Sequence, residues 1–86
     1  MKRIIILNKM FVATKTLVAI DENKVIEETA VNPAKLIETV FSLADRYDID
    51  TVEIKGSKVF SKGLEKDLTQ AMGTTKYSRK LNISII

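Results

Sequence analysis

The chain has 86 residues, of which 45% are hydrophobic and 29% charged, with three glycines and one proline. This suits a single globular domain and excludes a disordered or low-complexity chain. Fourteen basic and eleven acidic residues leave a net charge of +3, compatible with an anionic partner, while the lack of cysteine and histidine excludes disulfides, thiolate nucleophiles and imidazole bases or ligands.

Met1-Lys2-Arg3 precedes an apolar run of only four residues, Ile4 to Leu7. That run is too short for a signal-peptide core or a membrane span, so a cytoplasmic protein without membrane association is expected. Arg3 to Leu7 is apolar on both alternating faces, as in a central strand covered on each side. After a turn near Asn8-Lys9-Met10, the stretch from Phe11 to Ile20 is rich in threonine, valine and alanine and reads as a long second strand. Asp21 to Lys24 supplies turn formers and Val25 to Val31 a third strand, so the two form a hairpin.

Asn32-Pro33 marks a helix start, because the asparagine side chain caps a free N–H and proline lacks one. Leu36, Ile37, Val40, Phe41, Ala44 and Tyr47 then form one apolar stripe, with Lys35, Glu38, Thr39 and Arg46 outside it. Asp48-Ile49-Asp50 breaks the pattern. Thr51 to Lys55 alternates as a fourth strand with one polar face and runs into Gly56. Ser57 caps a second helix carried by Val59, Phe60, Leu64, Leu68, Ala71 and Met72, with Gly73 as its stop; Gly63 weakens it by about 1 kcal/mol relative to alanine. Thr74 to Lys80 is a polar connection, and Leu81 to Ile86 alternates as the closing strand.

The order βββαβαβ predicts a two-layer α/β domain spanning residues 1–86. Its expected five-stranded mixed sheet has order 3-2-1-4-5, and right-handed crossovers place both helices on one face. The other face then combines Thr51, Glu53, Lys55, Asn82 and Ser84 with either Ile4 and Ile6 or Ile5 and Leu7. This apolar strip is either a self-association surface or is shielded by the stems of lysines such as Lys15 and Lys55.

The run Ile4 to Asn8, the hairpin Thr16-Leu17-Val18-Ala19-Ile20-Asp21-Glu22-Asn23-Lys24-Val25-Ile26-Glu27 and the stretch from Leu43 to Gly56 resemble the core of the ribonuclease H-like superfamily, in its resolvase-type members. The resemblance implies this same fold and, in active members, two divalent metals held by carboxylates at the ends of the first and fourth strands. This chain has Leu7, Asn8 and Lys9 where the first acid belongs. The fourth strand ends in Lys55, with Glu53 two residues earlier. By this resemblance the domain has lost its catalytic acids, and no catalytic residue, metal or cofactor is expected.

The carboxyl ends of parallel strands one and four are the edge where open α/β sheets bind ligands. Asn8, Lys9, Lys55, Ser57 and Lys58 meet there with the start of the second helix, whose free N–H groups and dipole favour an anion such as a phosphate. The alternative is a solvated lysine rim with Ser57 serving only as a cap. Lys76, Arg79 and Lys80 around Tyr77 form a second basic group able to hold a phosphate backbone while the ring stacks a base; alternatively the tyrosine packs down and the loop is merely polar. Glu27 and Glu28 point to opposite faces, and Asp48 and Asp50 sit in a turn, so structural roles are expected for these acids. Two functions follow: a non-catalytic module that binds nucleic acid or another anionic partner at the basic edge, or an interaction protein forming a homo-oligomer. The second would use the open sheet face or the closing strand, which lacks a protecting charge.

Overall fold

One mixed sheet organises the chain. In the computed structural model, which describes residues 1–9 and 11–86, it comprises β1 (Lys2–Leu7), β2 (Lys15–Asp21), β3 (Lys24–Val31), β4 (Thr51–Lys55) and β5 (Asn82–Ile85). The order is β3-β2-β1-β4-β5, with β1 antiparallel to β2 and parallel to β4, and β5 parallel to β4. Between β3 and β4 lie a 3₁₀ turn (Pro33–Lys35) and α1 (Leu36–Tyr47), and α2 (Lys58–Met72) joins β4 to β5. Both helices cover the same face, α1 over β1 and β2 and α2 over β4 and β5. The two-layer architecture expected from the element order is the one observed.

The sheet's side-chain parity decides which central residues are covered. Ile4 and Ile6, with Leu17, Ala19, Val52 and Ile54, lie fully buried beneath the helices, where they meet Val40, Phe41, Leu43, Ala44 and Leu68. Each of the valine, leucine, isoleucine and phenylalanine side chains contributes about 1.5–3 kcal/mol on leaving water, so this layer is the main source of stability. Ile5 and Leu7 therefore take the open face, where they stay half-buried beside Ile20 and the buried Val18. Arg3 and Glu53 lie on the same face, and the guanidinium Nε meets the carboxylate Oε1 at 3.0 Å, so an ion pair rests against the apolar strip.

Lys15 does not shield that face. It shares its parity with Leu17 and Ala19, and its ammonium stands under α2, 5.5 Å from the centre of the Phe60 ring. The second strand also starts at Lys15 and not at Phe11, because Phe11 has φ 63°, a left-handed conformation incompatible with a strand, and residues 11–14 form turns and bends. Of the turn expected near Asn8-Lys9-Met10, Met10 lies outside the described residues. The β2–β3 loop is Glu22-Asn23, both with positive φ, as two-residue hairpin loops of the primed type require.

The helix ends follow their caps. The Asn32 side chain accepts the Ala34 N–H at 3.2 Å, yet the first turn is 3₁₀ before α geometry begins at Leu36. Asp48 adopts the left-handed conformation that ends α1, and Ile49 turns back into the core. In α2 the expected Val59 is 86% exposed, because it falls in the first turn on the solvent side, and Ser61 occupies the buried position instead. Leu81 lies buried just before β5, which begins at Asn82. No described helix is long and apolar enough to cross a membrane.

Glu27 pins α1 to edge strand β3. Its carboxylate accepts the Tyr47 hydroxyl at 2.6 Å and Arg46 Nη1 at 2.7 Å. The Tyr47 hydrogen bond, followed by that of Arg46, holds this carboxyl below its ordinary value of 4.5. A lowered folded value means the contribution is present above the unfolded value and is lost as pH falls through the folded one. Urea midpoints for the wild type should thus drop as pH falls below about 4.5, and Glu27→Gln should show a smaller drop over the same interval. A second outcome concerns Gly63 in the middle of α2, where an added Cβ would meet nothing within 4 Å. Gly63→Ala should raise stability by about 0.5–1 kcal/mol in the same assay.

Candidate functional site

The rim at the carboxyl ends of β1 and β4 is built by their parallel register. Leu7 stands opposite Lys55, and the Asn8 N–H donates to the Lys55 carbonyl at 3.0 Å, carrying the pairing one residue past the end of β1. Leu7, Asn8, Lys9, Lys55 and Gly56 thereby line one shallow depression of about 610 Å³, with Ile86 on its far wall. Lys9 and Lys55 are both exposed at this depression, and no acidic side chain is among the described residues that line it. Among the described residues, none of the ion pairs includes Lys9, Lys55 or Lys58.

Ser57 caps α2 beside the depression, its hydroxyl accepting the Phe60 N–H at 3.2 Å. Lys58 and Val59 are the first two helical residues, and their N–H groups have no partner within the helix. The positive end of the helix dipole thus lies at this same end of the sheet, just beyond Gly56. Asn8 is less free than its neighbours, since its Oδ1 accepts the Lys15 ammonium at 2.6 Å. The structure brings Asn8, Lys9, Lys55, Ser57 and Lys58 to one end of the sheet. Lys55, however, projects on the open face, whereas Lys15 and Phe60 lie on the helix side.

Two residues at this end take places other than those the sequence suggests for them. Lys15 shares the strand parity of Leu17 and Ala19, which signals that it reaches the helix layer beside Asn8. Phe11, whose composition suits a strand, is fully exposed on the loop that leaves β1. Only its backbone conformation reveals it as a projecting ring.

The second basic group has a different environment. Tyr77 stacks on Phe41 with ring centroids 4.1 Å apart and planes 11° from parallel, and Lys76 lies 5.5 Å from the tyrosine ring centre. Arg79 Nε donates to Asp45 at 3.0 Å, and its Nη1 donates to Asp48 at 3.2 Å and to Asp50 at 2.6 Å. These carboxylates, Asp45 foremost, hold the guanidinium protonated well above its ordinary range. The Lys80 ammonium is bonded to the Met72 carbonyl at 2.9 Å. This segment clasps the α2–β5 connection onto α1, and its arginine is already matched by three acids. Asp48 and Asp50 serve that clasp, and no group of three acids, histidines or cysteines able to hold a metal occurs among the described residues.

Gly56 lets the rim close. A Cβ there would lie 3.0 Å from Asn8 Cβ and 3.1 Å from Phe60 Cδ2, so any larger residue would push these two side chains apart by a few tenths of an ångström. Gly56→Ala should destabilise the fold by about 1–3 kcal/mol in denaturant titration, the opposite sign to the same change at Gly63. Comparison with protein-family models, with curated proteins and with solved structures finds no match to this chain.

Proposed function

We propose that the chain is a non-catalytic binding module that holds the phosphate backbone of single-stranded nucleic acid along the β1–β4 rim. The observation that carries this reading is the depression shared by Lys9 and Lys55, next to the α2 N-terminus and without a lining Asp or Glu side chain. Ammonium groups that no internal acid neutralises release counterions when phosphates replace them, which gives affinity without sequence preference. The exposed Phe11 ring, on the loop that continues from Lys9, supplies a face on which a base can stack.

The resemblance to ribonuclease H-like domains supports the same location, because their catalytic acids occupy the ends of the two strands that meet here. In this chain those positions are Leu7, Asn8, Lys9 and Lys55, and Glu53 is bonded to Arg3 on the open face. Lysine in place of aspartate repels a divalent cation and attracts the polyanion itself. The rim is therefore read as having kept a nucleic-acid surface while giving up hydrolysis. The clasp at Arg79 is a weaker candidate, since its guanidinium would have to leave three carboxylates to reach a phosphate.

Salt dependence tests the proposal. Fluorescence anisotropy with a labelled single-stranded oligonucleotide should show binding at low salt that falls steeply as salt rises. Combining Lys55→Glu with Lys58→Glu should weaken that binding and reduce the slope of log affinity against log salt by about 1.4, the loss expected for two phosphate contacts on a single strand. Phe11→Ala should weaken binding by about 1–3 kcal/mol with the slope unchanged, as expected for loss of one stacked base. No binding at low salt overturns the reading.

A further inference from the structure

The two edges of the sheet are treated differently. β3, at one edge, carries Lys24, Glu27 and Glu28 and has a register irregularity opposite Ala19 and Ile20. These are the devices that keep an edge from pairing. A second copy pairing antiparallel about the middle of β3 would set Glu27 or Glu28 against its own image, which is unfavourable. The other edge, β5, reads Asn82-Ile83-Ser84-Ile85 and has no charge, no proline and no irregularity.

The backbone of β5 fixes how that edge can pair. The Asn82 N–H donates inward to the Asp50 carbonyl at 2.7 Å and the Ile86 N–H to the Ile54 carbonyl at 3.0 Å. Alternation along the strand therefore turns the N–H and C=O groups of Ile83 and Ile85 outward to the free edge. We propose that a second copy of this chain pairs antiparallel with β5, Ile83 opposite Ile85 of the second copy and Ile85 opposite its Ile83, about a twofold axis at Ser84. Both isoleucine pairs then exchange their two N–H···O bonds, and the serines meet as the non-bonded pair between them. Such an interface is isologous and closes at a dimer.

The side chains fit this register. Ile83 and Ile85 lie on the helix side, where Ile85 is 42% exposed, and a groove between α2 and β5 is lined by Met72, Leu81 and Ile83 below Glu65, Lys66 and Thr69. Ile85 of the second copy enters the mouth of that groove opposite Ile83. On the open face Ser84 meets Ser84 and Asn82 meets Ile86, which is 57% exposed in a single copy. No like charges oppose each other along the strand, and each copy brings both an acid, Glu65, and a base, Lys66, to the groove wall. The result is one continuous sheet across both copies with helices on the same side. It does not depend on phosphate binding at the rim.

Sedimentation of the full chain over a range up to millimolar concentration tests the pairing. A concentration-dependent dimer is expected. Ser84→Lys sets two ammoniums on the axis and, because Ser84 is exposed, leaves the monomer folded by circular dichroism; it should raise the dissociation constant about fivefold or more. Ser84→Cys places two thiols on a non-bonded pair about 4.5 Å apart at Cα, within disulfide reach, in a chain with no cysteine of its own. It should oxidise to a covalent dimer with native circular dichroism, whereas Ala30→Cys, exposed on β3, should not. A wild type that stays monomeric throughout, or a dimer that Ser84→Lys leaves intact, overturns the proposal.

Discussion

Parallel pairing of β1 with β4 is the constraint on which the rest of the molecule depends. It sets Ile4 beside Val52 and Ile6 beside Ile54 at the centre of the sheet, all four fully buried, and so gives both helices a surface to cover. It also requires a crossover from β3 to β4, the parallel β4–β5 pairing requires a second from β4 to β5, and right-handed crossovers in the same direction put α1 and α2 on one side. The same register ends with the Asn8 N–H on the Lys55 carbonyl, which is why the rim exists. Core and candidate site are two ends of one ladder.

The two ends of that ladder carry opposite electrostatic arrangements. At the amino end of β4, Arg79 is surrounded by Asp45, Asp48 and Asp50, so charge is satisfied internally and the α2–β5 connection is held against α1. At the carboxyl end, Lys9 and Lys55 stand at a depression lined by no Asp or Glu side chain among the described residues. Exposed ion pairs add little stability, so the clasp serves chiefly to place Tyr77 on Phe41 and Leu81 in the core before β5 begins.

Much of the fold was legible in the sequence because its signals are local and redundant. The βββαβαβ order, the Asn32 and Ser57 caps and the centrality of Ile4 to Leu7 each follow from periodicity or side-chain chemistry within a few residues. What failed was information that only the packed chain contains. Phe11 and Val12 have strand-like composition but lie in a loop, where Phe11 takes a left-handed φ of 63° that no strand allows. Val59 fits the apolar spacing of α2 yet faces solvent, since helix phase is set by which residues meet β4 and β5, and Ser61 is taken inside in its place. The rim lysines could be named from sequence, whereas the acids that engage Arg79 are separated from it by 29 to 34 positions and could not be paired with it in advance.

The unequal placement of charge along the strands has a kinetic consequence. A body whose acids are consumed at one pole and whose ammoniums stand uncompensated at the other experiences torque in the field of a polyanion. Were the rim to bind nucleic acid as proposed, such a body would turn its lysine pole forward before any contact is made. Encounter should then be fast at low ionic strength and slow as the Debye length shrinks below the distance over which that torque acts, even where the final contacts are the same.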